Sequence, residues 1–252
     1  MPPINMRPSL NSLLAALPPT EYQRLVPDLQ LLSLDLGETL SEPGCPMDYV
    51  YFPINSILCF MHTDSGAHSE KVAIIGHDGA SGSQALSGDS TFARTLVLQA
   101  GYAYRIHADT LNRNFKTDSF LQLILLRYTQ VVISQLMLTG KCHRMHSTEQ
   151  QLSRWLLASL DLFKTTQIKT SSALIADVLG IEPTKLSEAA AHLQAQGLLI
   201  IDKSYFQILD RDGLENQACE CYRKIKLETD KWLPHDFDRR KTPRESKKSF
   251  HK

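Results

Sequence analysis

The sequence has no excess charge: 27 Lys and Arg balance 27 Asp and Glu over 252 residues. That excludes a globally basic nucleic-acid binder but not a local concentration of charge. There is no disulfide framework either. The five cysteines, Cys45, Cys59, Cys142, Cys219 and Cys221, are odd in number and scattered, which fits a reducing compartment. The opening MPPINMRPSL has no basic start followed by an apolar run, so no signal peptide is expected. The most apolar stretch, Phe120 to Leu138, is interrupted by Gln122, Arg127, Gln130 and Gln135, which argues against a membrane span. Gly-rich phosphate loops, Gly-x-Ser-x-Gly and His-Glu-x-x-His are all missing, and nine histidines form no constellation. The expectation is a cytoplasmic, soluble chain that is not an enzyme and has no membrane partner.

What is present changes texture along the chain. Residues 9 to 32 carry two short helical patterns; Leu10, Leu13, Leu14 and Leu17 share a stripe that Pro18-Pro19 stops. From Leu34 to about Ala108, short apolar runs are broken by Gly, Pro, Asn and Asp. Examples are Tyr49 to Phe52, Ile57 to Phe60, Val72 to Ile75 and Leu96 to Leu98. Several short strands with close turn signals (Pro43-Gly44, Asp64-Ser65-Gly66, Gly88-Asp89) predict an all-β sandwich, roll or barrel. From Asp109 the pattern is helical. Residues 120 to 138 are apolar on nearly every side, so they need cover from two directions. A β-domain plus a second subunit would supply it, and so would the core of a monomer; the pattern alone leaves both open. Ser147 with Gln150 then fits a capping box, and Leu152, Trp155, Leu156, Leu160 and Phe163 make one stripe. Lys164 to Thr170 reads as a polar connector.

The stretch Ala176 to Ile200, ADVLGIEPTKLSEAAAHLQAQGLLI, has the outline of two helices joined by a tight turn. Leu174, Ile175, Val178 and Leu179 form the first buried stripe, and Gly180 can take positive φ at the turn. Pro183 suits the first turn of a new helix, whose stripe is Leu186, Ala189, Ala190 and Leu193. Such hairpins occur in many α domains. A capped helix before it, and two β runs around Asp202-Lys203-Ser204 after it, favour a winged helix-turn-helix.

The run Cys142 to Leu157, CHRMHSTEQQLSRWLL, resembles the start of the DNA-binding half of Crp/Fnr-family bacterial regulators. The segments Ala176 to Ile181 and Leu193 to Leu198 fit that family's helix-turn-helix frame. Leu209 to Leu214 and Ala218 to Tyr222 are similar to one divergent branch. Gly37 to Leu40, Tyr51 to Pro53 and Gly76 to Gly79 match that branch's sensor half. The resemblance spans roughly residues 10 to 223. It implies an α+β architecture: a cyclic-nucleotide-binding-like β-roll with N-terminal helices (1–115), a long dimerisation helix (116–143) and a winged helix-turn-helix (144–225). A basic, disordered tail (226–252) would follow.

A recognition helix of this kind lays its N-terminal side chains against base edges. The DNA-contact candidates are Thr184, Lys185, Ser187, Glu188 and His192, with Lys203 in the wing, Lys169 before the first helix, helix N-termini and the basic tail for phosphates. Lys185 could donate to guanine and Glu188 accept from cytosine. The family usually has arginine where this chain has Glu182 and Pro183, and Glu182 would repel phosphate. In the sensor half, the segment comparable to the family's nucleotide cassette contributes Gly79, Gly82, Arg94 and Thr95 as effector-binding candidates. The ribose-binding glutamate is replaced by Ala80, and Arg94 reads better as a solvated strand charge. A cyclic nucleotide is therefore open but not predicted, and no cofactor is. Cys142 and His146 are one helical turn apart, which makes a metal pair conceivable. Beside Arg144 they read as interface residues, and Cys219 and Cys221 on a helix would face apart. No metal site is expected. The resulting expectation is a homodimeric, sequence-specific transcription regulator of double-stranded DNA. An unidentified small-molecule or other signal would enter through the β-roll, with RNA polymerase open as a partner. The alternative is a degenerate relative that acts through protein contacts.

Overall fold

The computed structural model describes residues 7–63, 69–82, 93–114, 119–163 and 166–233. The turn signals at 64–66 and 88–89 and the basic segment 239–252 lie outside them. Helices α1 (Ser12–Ala15) and α2 (Pro19–Leu25) open the chain. Asn11 caps α1 by accepting from the amides of Leu13 and Leu14. Pro18 and Pro19 not only stop α1 but start α2, as its N-cap and first residue. Leu13, Leu14 and Leu17 are buried, whereas Leu10 precedes α1 and is exposed, so it drops out of the expected stripe. The second helical pattern is also shorter than expected, because residues 30 onward are strand.

Seven strands follow: β1 (Gln30–Leu34), β2 (Thr39–Ser41), β3 (Tyr49–Pro53), β4 (Ile57–Thr63), β5 (Ser69–Ile75), β6 (Arg94–Gln99) and β7 (Gly101–His107). They form two antiparallel sheets, ordered β1-β7-β3 and β2-β6-β4-β5. Leu34, Val50, Phe52, Leu58, Phe60, Val97 and Ile106 fill the roll interior. The unbroken run Ile57-Leu58-Cys59-Phe60-Met61 is explained by burial on both faces. Leu58 and Phe60 point into the roll, while Ile57, Cys59 and Met61 join the core of the C-terminal half.

Helix α3 (Ala108–Asn114) leads to the 26-residue α4 (Phe120–Met145). Ser119 caps α4, and the Glu21 carboxylate accepts from the amides of Phe120 and Leu121 at 3.0 Å each, tying α2 to the start of the long helix. Phe120, Leu121, Ile124, Leu125 and Tyr128 are buried against the roll, and Val131 is buried as well. Leu126, Ile133 and Met137 are exposed on α4, so the roll and the last helix (Cys221–Trp232) leave one stripe of it uncovered. Its length and apolarity would suffice to cross a membrane, but the buried face is packed on this chain's own roll.

Helix α5 (Thr148–Phe163) begins with the expected reciprocal box: the Gln150 amide donates to Ser147 Oγ, and the Ser147 amide donates to Gln150 Oε1. Leu152, Trp155, Leu156 and Leu160 are buried, each such side chain contributing roughly 1.5–3 kcal/mol. Next come β8 (Gln167–Ile168), α6 (Ser172–Leu179), α7 (Pro183–Ala195), β9 (Leu199–Ile201) and β10 (Phe206–Ile208). The hairpin β9–β10 is the expected wing. The segment expected as a plain connector contains β8, which pairs with β10 and completes a β8-β10-β9 sheet. Helices α8 (Arg211–Gln217) and α9 (Cys221–Trp232) close the chain. Helix α9 packs along α4 and runs past residue 225, where the winged domain was expected to end. Arg211 Nη2 donates to Asp161 Oδ1 (2.6 Å) and to Tyr222 Oη (2.7 Å), and Tyr222 donates to Asp161 Oδ2 (2.7 Å). That triad welds α5, α8 and α9 together.

Candidate nucleic-acid interface

The turn between α6 and α7 is made by Gly180 at φ 59°, whose amide reaches back to the Ala176 and Asp177 carbonyls. Ser171 caps α6 by accepting from the Leu174 amide. Leu186, Ala189, Ala190 and Leu193 of α7 are buried, which fixes the helix's rotation. Thr184, Lys185, Ser187 and Glu188 are consequently exposed together on its first two turns.

The polar groups on this face differ in what they already do. Thr184 Oγ1 donates to Glu182 Oε1 (2.8 Å), and Ser187 Oγ donates to the Pro183 carbonyl (2.8 Å). Among the described residues, Lys185 and Glu188 have no hydrogen bond or ion pair. His192 Nδ1 lies 2.8 Å from Glu149 Oε1 of α5, so it braces the two helices instead of standing free. Lys203 is exposed in the wing turn and Lys169 is exposed between β8 and α6.

The backbone at the start of α7 bears on the expectation that helix N-termini take phosphates. Glu182 is the N-cap of α7 but makes no side-chain cap bond to a first-turn amide, because its carboxylate takes the Thr184 hydroxyl instead. Proline at the first position has no N–H, so the Thr184 and Lys185 amides at the helix start are left to face an outside acceptor. The cue was present in the sequence as Glu-Pro in place of a Ser, Thr, Asp or Asn cap. Sequence reasoning missed Gln194, whose side chain accepts from the Ile201 amide at 2.8 Å and ties α7 to the wing.

The effector candidates occupy a different setting. A Cβ on Gly79 would lie 2.5 Å from Tyr128 Oη of α4. Gly82 has φ +93° and would press a Cβ to 2.4 Å from the Tyr49 carbonyl. Arg94 Nε donates to Glu42 Oε2 at 2.9 Å. Thr95 Oγ1, fully buried, accepts from Ser41 Oγ at 2.8 Å and lies 3.3 Å from Ser81 Oγ. Residues 83–92, between the two halves of this cassette, lie outside those described. The Tyr128 hydroxyl is buried beside the turn, and desolvation raises its pKa, so it stays neutral.

Cysteine placement also departs from expectation. Cys219 sits in the turn before α9 and only Cys221 is on the helix. The two side chains converge with Cys142 and His146, their ligand atoms all lying within 4.8 Å of one another. The Cys142 thiol and Cys219 sulfur are 3.4 Å apart, and this hydrogen bond pulls the Cys219 pKa below the ordinary thiol range.

A β-roll, a long helix and a winged helix-turn-helix whose second helix faces solvent make up the architecture. Residues 150–217 match the Crp-like helix-turn-helix domain family. The fold is similar to FixK2 from Bradyrhizobium japonicum, with a TM-score of 0.64 at 15% identity over 76% of this chain and 98% of that one. It is similar to TTHB099, a CRP-family transcriptional regulator from Thermus thermophilus, with a TM-score of 0.62 at 15% identity over 74% and 96%. The c-di-GMP-responsive global regulator CLP of Xanthomonas campestris aligns with a TM-score of 0.59 at 14% identity over 76% and 99%. No curated relative matches the chain. Residues 150–217 thus carry a Crp-like helix-turn-helix domain, and the chain as a whole is similar in fold to Crp/Fnr-type regulators.

Proposed function

We propose that the protein is a cytoplasmic homodimer that reads a two-fold DNA operator with α7 and receives its signal through the β-roll. The observation that carries the reading is the first two turns of α7. There Lys185 and Glu188 are exposed and unspent beside amides that have no partner among the described residues. Lys185 and Glu188 face base edges, while those amides, Lys203 and Lys169 take phosphates. Dimerisation is supported by Leu126, Ile133 and Met137, exposed at 61%, 42% and 72%. Their spacing of seven and four matches a coiled-coil seam, with the facing helix of a second copy as its cover. The proposed boundaries place the sensor at 1–115, the dimer helix at 116–143 and the winged domain at 144–225.

Cyclic nucleotide is not proposed as the signal. Its phosphate would have to take Arg94 from Glu42, and Ala80, fully buried, offers no acceptor to a ribose. The test is genomic-fragment affinity sequencing with the purified protein at near-physiological salt. The expected result is a palindromic motif with half-sites about one helical turn apart. Enrichment without a motif, or none at all, would overturn the reading and leave the scaffold acting through protein contacts.

A further inference from the structure

Four side chains unused by DNA reading meet where the end of α4 reaches the turn into α9. Cys142 and Cys221 are fully buried and Cys219 is 4% exposed, and the three sulfurs form a cluster of their own. Cys142 and Cys219 sulfurs are 3.4 Å apart, and Cys221 Sγ is 3.8 Å from His146 Nδ1. Around a tetrahedral ion with metal–sulfur bonds of about 2.3 Å and metal–nitrogen bonds of about 2.0 Å, neighbouring donors stand about 3.5–3.8 Å apart. The observed spacings bracket that edge, so small side-chain adjustments would close it on an ion.

The surroundings are those of a metal-binding histidine. His146 presents Nδ1 to the sulfurs, while its Nε2 lies 3.1 Å from Glu220 Oε2. Lys141 in turn donates to Glu220 Oε1 at 2.7 Å, with Lys224 at 3.7 Å. A carboxylate on the far nitrogen holds the Nε2–H tautomer and leaves the Nδ1 lone pair free for a cation. Charge points the same way. Arg154 is 5% exposed, and its Nε and Nη2 have no hydrogen-bond partner. Three thiolates and a divalent ion sum to one negative charge, which would supply the buried guanidinium with its missing counter-charge.

We propose that Cys142, His146, Cys219 and Cys221 bind one zinc-class divalent ion in a closed tetrahedral site. Three thiolates and an imidazole suit a borderline-soft ion without geometric preference, and four protein donors leave no open position for chemistry. Binding releases the thiol protons to solvent and involves no change of oxidation state. The ion would clamp the last turn of the long helix to α9, at the joint between the proposed dimer helix and the winged domain.

Elemental analysis of the full-length protein, purified reduced and without a metal-affinity step, should find one zinc per chain. Cobalt(II) exchanged into the protein should give the visible bands and sulfur charge-transfer absorption of a tetrahedral thiolate site. Cys219→Ser and Cys221→Ser should each cut metal content at least ten-fold, whereas His146→Cys should keep it. Glu220→Gln should retain the ion but weaken it by about 10–100-fold against a chromophoric chelator, because Glu220 only positions the histidine. A reduced wild-type protein that carries no zinc and takes up no cobalt overturns the proposal, with or without soluble variants. So does metal that persists in both cysteine variants, or a Cys142–Cys219 disulfide found by peptide mapping of freshly purified protein. None of these readouts involves DNA, so failure here and failure of the operator reading are separate events.

Discussion

The start of α7 and the Gly79–Thr95 cassette both looked like ligand-binding surfaces in the sequence, yet they differ in what their polar groups are doing. On α7, the Lys185 and Glu188 side chains and two backbone amides have no partner among the described residues. In the cassette, Arg94 is held by Glu42 and Thr95 by two serines, while Tyr128 crowds Gly79 and the Tyr49 backbone crowds Gly82. A group already satisfied must be released before it can bind anything, whereas an exposed, unspent one offers its full interaction to a ligand. One region is arranged for an outside partner and the other is arranged to hold the roll against α4.

The sharpest way to break this contrast is at Gly82. Gly82→Ala combines positive φ with a backbone clash, so it should destabilise the fold by about 3 kcal/mol, the upper end for overpacking, in urea unfolding. A neutral result would show that the turn is loose enough to accept a ligand. Lys185→Ala should weaken binding to the best operator by about 1–3 kcal/mol while leaving unfolding within roughly 0.5 kcal/mol. Unchanged operator affinity would remove α7 from the readout. His192→Ala should be milder. Loss of its brace to Glu149 should cost at most about 1 kcal/mol of stability, with operator affinity falling less than for Lys185→Ala. Arg94→Met should have the smallest effect, no more than about 1 kcal/mol, because its pair with Glu42 is well exposed. Calorimetry with cyclic AMP should show no binding to the wild type. Binding that Arg94→Met abolishes would return the cassette to the status of a ligand site.

Local signals were legible in the sequence. The Ser147–Gln150 box, the Gly180 turn, the Pro183 helix start and the β9–β10 wing each depend on residues a few positions apart, and each appears as expected. Strands β1, β2, β7 and β8 were not read. Strand β8 is two residues long and exists only because β10 lies beside it. Strand β7 is the middle strand of its sheet, yet it mixes Arg105 and His107 into a mostly half-buried segment that lacks a run of apolar residues. The cysteine–histidine cluster was hidden for a related reason. Cys142 and Cys219 are 77 residues apart and meet only because α9 folds back along α4. The assumption that Cys219 lay on a helix then pointed its thiol away from Cys221. Exposure on α7 could be deduced from its buried stripe, but the engagement of His192 by Glu149 could not, since Glu149 belongs to a helix 43 residues earlier.

Strand β4 sets a limit on how any signal can travel. Its outward residues Ile57, Cys59 and Met61, with Leu98 of β6, are shared with the core of the winged domain, and Leu162 of α5 presses against Gly76. Uncovering four such side chains, at roughly 1.5–3 kcal/mol for each large one, would cost on the order of 5 kcal/mol or more. Couplings between effector and distant site are typically about 1–3 kcal/mol. A stimulus of ordinary strength therefore cannot peel the reading head from its own sensor. In the proposed dimer it would have to turn the two as one lever, pivoting along the bare edge of α4 where the neighbouring copy would rest.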